Sequence, residues 1–382
     1  MFRGKILAEN IRKQRTSKGI SQTDLARMLN IRPQSISKWE RNIAMPDIEN
    51  LCLLSQALNI SVDQLLGNAL HQEKLLIGID GGGSKTEFIL FRDDGTLIDR
   101  CVLGSCNPNA IGLENCASLL TQGINTLVAA PEDVCGIYIG ASGFATGGNG
   151  KKIHTMLSQI YRNAKIRCET DIMNVIAAAD LEQKCIAVIC GTGSVVYAKE
   201  ANNMTKLTGW GYLLSTNGSG YDIGRDVLRR ALSEAEGLAD SSLISSLVET
   251  KLGAPVSQCV QEVYKHDPAY IASFAPLAFD AYAQGDHAAA QILEDNAESL
   301  AAVINHAASH YDCGNHVVLS GGLVTDNHTF RKMVTERLLS DLTVSVPNIP
   351  QVLAACRLCA ELCGIDSHAF LEKLVLQYQE KR

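Results

Sequence analysis

The sequence predicts an α/β protein with two lobes, preceded by a small all-α domain. A chain of 382 residues is too long for one ordinary hydrophobic core, which favours several domains. Up to residue 67, apolar residues recur at helical spacing. Residues 75–91 and 185–199 each read as a buried strand, a glycine turn and a second strand. Two separate segments of the same design predict two α/β lobes.

The domain boundaries follow the changes in pattern along the chain. A short polar segment separates the helical region from the first buried strand and is predicted to be a linker. The predicted order is an all-α domain at 1–67, the linker at 68–74, a first lobe at 75–180 and a second lobe at 181–382. The last helix is amphipathic, and we expect it to pack back on the first lobe or between subunits.

Composition excludes several classes of protein. A hydrophobic fraction of 46% with 20% charged residues is typical of a soluble globular protein. No apolar run reaches the roughly 20 residues that a membrane span requires. The N-terminal residues have neither the apolar core nor the small-residue cleavage site of a signal peptide. These features predict a cytoplasmic protein without a membrane partner.

Thirteen cysteines are scattered along the chain, and their odd number argues against a secreted disulfide framework. Cys356, Cys359 and Cys363 would share one face of a helix and could hold a metal ion or pack in the core. Core packing is preferred, because no fourth ligand is evident nearby and free cysteine packs well as a small apolar residue. His306 and His310 lack a third ligand and are interpreted as surface residues.

The net charge of −7 conceals an asymmetry. Residues 1–41 contain ten Lys and Arg against three Asp and Glu, a surplus of +7, so residues 42–382 carry −14. A basic segment on an acidic body fits a nucleic-acid-binding module attached to a domain of another kind.

Local signals predict the helices of the basic segment. Ser21 has the position of an N-cap with an acidic residue three positions on, and it opens a helix that ends near residue 29. Pro33 would lie in the first turn of the next helix, where its missing N–H costs little. We expect Pro46 to open a fourth helix and Ser61 to cap a short fifth one.

Residues 5–67 resemble the Cro/Xre-type helix-turn-helix domains of phage repressors. The most specific part is Trp39-Glu40-Arg41 after the second helix of the motif. In such domains this helix enters the major groove of DNA. The resemblance implies DNA contacts from Arg32, Gln34, Ser35, Ser37 and Lys38. Trp39 is expected in the core. A helical bundle for protein contact is the alternative, which the positive charge disfavours.

The rest of the chain contains three glycine-rich elements. In LLIGIDGGGSKTEFILF the glycines join two strands, whereas in a Rossmann fold they lead into a helix. The spacing of a Walker loop is also absent. CIAVICGTGSVVYAK repeats the strand–turn–strand design, and VVLSGGLV at 317–324 is a strand followed by two glycines that lead into a helix. Each element alone could be a structural turn.

Together, in this order, the three elements resemble the actin–sugar kinase–Hsp70 superfamily. This implies two ribonuclease H-like lobes around a nucleotide cleft, with ATP and Mg²⁺ as cofactors. Glycines let the backbone approach the phosphates closely. The implied nucleotide-binding residues are Asp80, Gly81, Gly82, Gly83, Ser84, Lys85 and Thr86 in the first loop, Gly191, Thr192, Gly193 and Ser194 in the second, and Gly321 and Gly322 beside the adenosine. Asp80 would hold Mg²⁺ as a hard oxygen ligand.

Four further segments resemble the N-acetylglucosamine kinase branch, which includes the BadF/BcrA-type ATPases. They are SCNPNAIG (105–112), ETDIMNVIAAA (169–179), GWGYLL (209–214) and NGSGYDIGRD (217–226). The resemblance covers residues 75 to about 360 and implies Asp171 as the catalytic base. The implied sugar-binding residues are Asn107, Asp171, Gly209, Trp210, Gly211 and Thr216. Asp171 could also cap a helix, and Trp210 could be buried core.

One departure leaves the ligand and turnover open. Ser215-Thr216-Asn217 stands where the family usually has Gly-Asp-Glu, so two acidic residues are replaced by neutral ones. Three hypotheses follow: a sugar-responsive regulator that phosphorylates its ligand, a catalytically silent sensor, and a metabolic kinase with an accessory helix-turn-helix. In the regulator, closure of the lobes would change the spacing of DNA-binding domains in a homodimer.

Overall fold

The computed structural model describes residues 2–67, 74–180, 184–215 and 217–381. The chain divides into two compact units, Met1–Lys74 and Leu75–Arg382. None of the described helices is long and apolar enough to cross a membrane.

The described residues of the N-terminal unit form five helices around one small core. They are α1 (Phe2–Ser17), α2 (Gln22–Met28), α3 (Pro33–Glu40), α4 (Ile48–Leu58) and α5 (Val62–Leu65). The caps predicted at Ser21 and Ser61 are present, and each serine hydroxyl accepts a backbone N–H from the first turn of its helix. The start of the fourth helix differs from the prediction. Asp47 caps α4 through its carboxylate, so Pro46 lies just outside the helix.

The second unit begins with a mixed five-stranded sheet. Its strands are β1 (Leu75–Gly81), β2 (Lys85–Arg92), β3 (Leu97–Gly104), β4 (Val134–Ala141) and β5 (Lys165–Glu169). Four helices accompany them: α6 (Pro108–Ile111), α7 (Leu113–Leu127), α8 (Asn149–Ile160) and α9 (Ile172–Ala178). The strand order is β3-β2-β1-β4-β5, in which β2 is antiparallel to both of its neighbours and β4 runs parallel to β1 and β5.

A second sheet repeats this arrangement. Its strands are β6 (Cys185–Cys190), β7 (Ser194–Lys199), β8 (Met204–Lys206), β9 (His316–Ser320) and β10 (Thr343–Ser345). The order β8-β7-β6-β9-β10 matches the first sheet strand for strand, with the same parallel and antiparallel pairs between β6 and its neighbours. The predicted fold class, two lobes of the ribonuclease H-like type, is therefore confirmed.

Helices surround the second sheet and complete the first. They are α10 (Gly220–Ala235), α11 (Leu243–Leu252), α12 (Val256–Val263), α13 (Pro268–Ala272), α14 (Ala275–Ala283), α15 (His287–His310), α16 (Gly322–Thr325), α17 (His328–Thr335), α18 (Gln351–Leu362) and α19 (His368–Glu380). The last two pack on the first sheet, where Phe370 lies 5.9 Å from Phe91 between ring centroids and the Tyr378 hydroxyl donates to Glu87.

The cysteines of α18 belong to this packing. Cys356 and Cys359 are fully buried against β1 and β4, and a Cβ on Gly78 would lie 2.5 Å from the Cys356 sulfur. No group of metal-binding side chains occurs among the described residues. The core interpretation of the three cysteines therefore fits, because their sulfur atoms fill the space that glycines leave in the sheet.

Candidate functional site

The β1–β2 hairpin forms the first glycine loop. The Gly82 N–H donates to the Lys85 carbonyl at 2.9 Å and closes the turn. A Cβ on Gly81 would lie 2.5 Å from the sulfur of Cys106 and 2.8 Å from the Cβ of Ala141, so only glycine fits. The tip of the loop, Gly83, Ser84 and Lys85, is exposed. The backbone of Gly83 and the side chains of Ser84 and Lys85 are therefore accessible to solvent.

Thr86, which is predicted to contact phosphate, lies in the first sheet. It is fully buried, and its hydroxyl donates to the Gly104 carbonyl of β3 at 2.8 Å. The Thr86 side chain points into the sheet, and its hydrogen bond joins β2 to β3. The predicted phosphate contact of Thr86 stays a prediction.

The β6–β7 hairpin forms the second glycine loop and is supported by α10. The Gly191 carbonyl accepts the N–H of Gly220 at 2.8 Å, and the Thr192 carbonyl accepts the N–H of Tyr221 at 2.9 Å. The Ser194 hydroxyl donates to the Asn217 carbonyl at 3.0 Å. Thr192 and Gly193 are exposed at the tip. The first turn of α10 therefore fixes the base of this loop and leaves its tip open.

Gly321 and Gly322 lie beside the second loop. Gly321 has φ +94°, and a Cβ there would lie 2.4 Å from the Cys190 carbonyl oxygen. Both the backbone conformation and the lack of space therefore exclude a side chain at this position. The Gly322 nitrogen is 4.0 Å from the position that a Cβ on Gly191 would take. The structure thus brings the predicted adenosine segment against the predicted phosphate loop.

Asp80 stands at the end of β1, next to the first loop. Its Oδ1 accepts a hydrogen bond of 2.7 Å from the Asn174 side-chain amide. Burial raises the pKa of Asp80 to about 7, and the negative charges of Asp171 and Glu87 add to the rise. The Asn174 Oδ1 is buried and has no hydrogen-bond partner among the described residues. A carboxylate with an adjacent amide oxygen is the donor chemistry that suits Mg²⁺.

Asp171 occupies the N-cap position of α9, but its side chain makes no capping hydrogen bond. The Thr170 hydroxyl donates to its Oδ1 at 3.0 Å. Burial raises the pKa of Asp171 to about 6, against the lowering effect of that hydrogen bond. The Asp171 carboxylate does not cap the helix, so it is available for the other predicted role, that of a base.

The Gly209–Gly211 segment is linked to Asp171 through Lys206. Gly209 and Gly211 have φ +83° and +99°, which glycine adopts without strain. The Lys206 ammonium donates to the Gly209 carbonyl at 2.7 Å and lies 4.6 Å from the centre of the Trp210 ring. Burial lowers the pKa of Lys206, and the nearby Asp171 carboxylate opposes that shift. Trp210 is 57% exposed, which excludes the core interpretation.

Two more predicted sugar-binding residues have different outcomes. Asn107 caps α6, and its Oδ1 accepts the N–H of Asn109 at 3.0 Å. The Asn107 N–H donates to the Ser105 hydroxyl, which donates in turn to the Gly82 carbonyl, both at 3.2 Å. Asn107 is therefore tied to the first glycine loop. Thr216 lies outside the described residues.

Three site residues were missed by the sequence reasoning: Asn174, Lys206 and Asp222. Asp222 is 1% exposed, and its Oδ2 accepts the N–H groups of Asn217 and Ser219 at 3.2 and 3.0 Å. It forms a capping box with Ser219, a pattern of serine and acidic residue three apart that the sequence displays. Asn174 and Lys206 carry no such signal, because their partners are distant in sequence.

The candidate DNA interface lies on α3. Arg32, Gln34 and Lys38 are exposed, Ser35 and Ser37 are half-buried, and Trp39 is 7% exposed in the core, as expected. Arg15 forms an ion pair with Glu40, with hydrogen bonds of 2.6 and 3.0 Å. One cation of the basic surplus is therefore used inside the domain, whereas the α3 cations face solvent.

Comparison with known families matches both units. Residues 77–356 match the model of the BadF/BadG/BcrA/BcrD ATPase family, and residues 11–65 match the model of a helix-turn-helix family.

Curated relatives divide in the same way. The second unit is 27% identical over 235 residues to an N-acetylmuramic acid/N-acetylglucosamine kinase of Clostridium acetobutylicum, covering 59% of this chain and 77% of that protein. It is 23% identical to an N-acetyl-D-glucosamine kinase of Dictyostelium discoideum, covering 61% of this chain and 79% of that one. The first unit is 40% identical over 67 residues to the repressor protein C2 of Salmonella phage P22, 18% of this chain and 31% of that protein.

Solved structures share the fold of the second unit. A candidate N-acetylglucosamine kinase of Chromobacterium violaceum superposes with a TM-score of 0.61 at 23% identity, covering 76% of this chain and 99% of that one. A ROK family glucokinase of Streptomyces griseus, solved with glucose and AMPPNP, has a TM-score of 0.51 at 14% identity, covering 75% of this chain and 99% of the other.

Proposed function

We propose that this protein is a transcription regulator that phosphorylates an amino sugar with ATP. The chain belongs to the BadF/BadG/BcrA/BcrD ATPase family and carries a helix-turn-helix domain before its kinase-like domain. The single observation that carries the proposal is the environment of the Asp171 carboxylate. This carboxylate heads α9 without capping it and has a raised pKa. It lies near the Lys206 ammonium, which anchors the Gly209–Gly211 segment.

The chemistry assigns a role to each part of the cleft. The Asp171 carboxylate accepts the proton of a sugar hydroxyl while that oxygen bonds to the γ-phosphorus of ATP. The bond from the γ-phosphorus to its bridging oxygen breaks, and ADP leaves. The exposed N–H groups of Gly83 and Gly193 stabilise charge on the phosphates. Asp80 would hold Mg²⁺, with Asn174 beside it; that ion supplies charge neutralisation on the β- and γ-phosphates.

Sugar recognition would come from the Gly209–Gly211 segment and Asn107. The exposed Trp210 ring offers an apolar face for a pyranose. The Asn107 Oδ1 already accepts the N–H of Asn109, so its amide NH₂ is the group left for a hydroxyl or N-acetyl oxygen. The relatives named as kinases act on N-acetylglucosamine, N-acetylmuramic acid or glucosamine, which sets the first substrates to test.

A second candidate, a sensor that binds sugar without turnover, is favoured by the 215–217 segment. The Ser215 hydroxyl accepts the Gly209 N–H and donates to the Asn217 Oδ1, both at 3.1 Å. These side chains hold the segment together, whereas the family usually places acidic residues there.

The first experiment measures ADP release from Mg-ATP with N-acetylglucosamine, glucosamine, N-acetylmuramic acid and glucose in turn. Sugar-dependent turnover that is lost in Asp171→Ala supports the kinase. Sugar or ATP binding by calorimetry without any turnover moves the protein to the sensor hypothesis. Asp94→Ala, which removes an exposed carboxylate that pairs with Lys373, is the control for a lost carboxylate.

The N-terminal unit would bind a two-fold symmetric operator as part of a homodimer. Arg32, Gln34 and Lys38 are exposed on α3, where the major groove would be read. Operator selection with the full chain, followed by binding at two salt concentrations, tests this. Lys38→Ala should weaken binding to all sequences, and Gln34→Ala should relax the preference at one base pair. A monomer by light scattering, with and without DNA, contradicts the homodimer.

A further inference from the structure

Asn174 is a fully buried amide inside the candidate site. It lies on α9, three residues after Asp171, and is 0% exposed. Its Nδ2 donates to the Asp80 Oδ1 at 2.7 Å and to the Gly140 carbonyl at 3.2 Å. Its Oδ1 has no hydrogen-bond partner among the described residues. An unsatisfied buried acceptor is unfavourable for folding, so packing alone would favour an apolar residue here.

The first sheet accommodates this amide at one position. Gly140 of β4 pairs with Asp80 of β1. A Cβ on Gly140 would lie 2.2 Å from the Asn174 Oδ1 and 2.4 Å from its Nδ2. The amide therefore lies flat on the glycine backbone directly beside Asp80, and no larger residue than glycine is compatible with it.

Helix α9 connects this contact to both lobes. Its apolar residues Ile172, Val175 and Ile176 pack with Ala187, Tyr197 and Val318 of the second sheet. Asp171 and Asn174 lie three residues apart, about 4.5 Å along the helix axis. One short helix, held between the sheets, thus carries the candidate base and the amide that contacts Asp80.

A second carboxylate near Asp80 does not compete for this amide. Glu87 pairs with Asp80 across the β1–β2 ladder. It accepts the Tyr378 hydroxyl at 2.8 Å and forms an ion pair with Arg100 at 3.3 Å. Glu87 is therefore held by β3 and α19, whereas Asp80 receives its hydrogen bond from α9.

We propose that Asn174 is a positioning residue that orients the Asp80 carboxylate for the divalent cation of the metal–nucleotide complex and keeps it in register with Asp171. The inference rests on the proposed function only in taking Asp80 as the cation ligand. Groups that orient a metal ligand are commonly worth about 10- to 100-fold in metal affinity when they are removed.

The test uses Mn²⁺ as the probe, with the full chain and ATP. Asn174→Leu replaces the amide with an apolar group of the same branching, and Asn174→Ala removes the group altogether. In each variant we expect the dissociation constant of Mn²⁺, from electron paramagnetic resonance titration, to rise about 10- to 100-fold. ATP binding in EDTA should stay within about twofold of the unchanged protein, because the loops that contact phosphate do not contact Asn174.

Two further variants serve as controls. Asn296→Ala removes another buried amide, which donates to Asp226 in the second lobe, and should leave Mn²⁺ affinity unchanged. Asp80→Asn marks the full loss of the cation ligand. Unchanged Mn²⁺ affinity in Asn174→Leu overturns the inference, and so does unchanged affinity in Asp80→Asn. If no sugar supports turnover while Mn²⁺ affinity falls in Asn174→Leu, the kinase proposal fails and the positioning role stands.

Discussion

The two glycine hairpins share a backbone design and differ in the residue before the glycines. Asp80 ends the apolar part of β1, and Cys190 has the corresponding position on β6. The Asp80 carboxylate accepts the Asn174 amide, whereas the buried Cys190 thiol donates to the Gly218 carbonyl at 3.3 Å. The two sheets share one strand order, so each lobe has the same backbone arrangement around its hairpin. A single residue at the end of the strand decides whether a lobe contributes a charge or only backbone groups.

The support behind each hairpin differs in the same way. The first hairpin rests on side chains from α9, which also carries Asp171. The second rests on α10, whose first turn is held by the Asp222 capping box, and on Gly321. Under the proposed function, the first lobe would carry the chemical step and the second would shape the nucleotide cradle.

The largest expected effect comes from Asp171→Asn. The substitution keeps the shape of the side chain and removes its ability to accept a proton, so kcat should fall by about 10²- to 10⁴-fold. Binding of ATP and sugar should change little. Turnover assays with calorimetry check this, and a variant with near-normal kcat would remove the chemical step from the first lobe.

The pH dependence of turnover sharpens the same assignment. Asp171 must be ionised to act as a base, and burial raises its pKa to about 6. We expect kcat to fall about tenfold per pH unit below that value and to level off above it. In the unfolded state the Asp171 carboxyl keeps its ordinary pKa of 3.8. Between that value and pH 6 the folded state therefore binds the proton more tightly than the unfolded state. The contribution of Asp171 to the stability of the fold decreases as pH rises through this range. A flat kcat between pH 5 and 8 contradicts the prediction.

A matched pair of glycine substitutions tests how tightly each hairpin is enclosed. A Cβ on Gly81 would meet Cys106 and Ala141, whereas a Cβ on Gly193 would have no atom within 4 Å among the described residues. Gly81→Ala should therefore lower the free energy of unfolding by about 1–3 kcal/mol, through overpacking. Gly193→Ala should leave it nearly unchanged. Thermal melts of both variants measure the difference, and equal melting temperatures would contradict it.

The smallest effect is expected from Asp222→Asn in the second lobe. The Asn side chain keeps an oxygen acceptor but loses the charge that strengthens the bonds from Asn217 and Ser219. We expect a loss of about 1 kcal/mol in unfolding free energy and a KM for ATP raised about fivefold, with kcat nearly unchanged. If kcat falls as far as in Asp171→Asn, the division of labour between the lobes is wrong.

Much of the fold could be predicted because its signals are local. The caps at Ser21 and Ser61, the glycine turns and the alternating or buried apolar strands each depend on a few neighbouring residues. The position of Pro46 misled the prediction, because proline and an N-cap Asp can both open a helix and Asp47 does so here. The burial of Thr86 in the sheet was not predicted, for another reason. Its position at the loop is visible in the sequence, but the inward direction of its side chain depends on the pairing of β2 with β3.

By itself the sequence determined the helical basic domain and the duplicated strand–turn–strand elements, because short-range patterns encode them. The carboxylates Asp80 and Asp171 were singled out by the resemblance to a known family. Only the tertiary structure decided which side chains serve these carboxylates. Asn174 reaches Asp80 across 94 positions, Lys206 of the second sheet lies near Asp171, and α18 and α19 return to the first sheet. The physical reason is that burial and hydrogen bonding in a packed interior depend on how the lobes assemble, which no local pattern specifies.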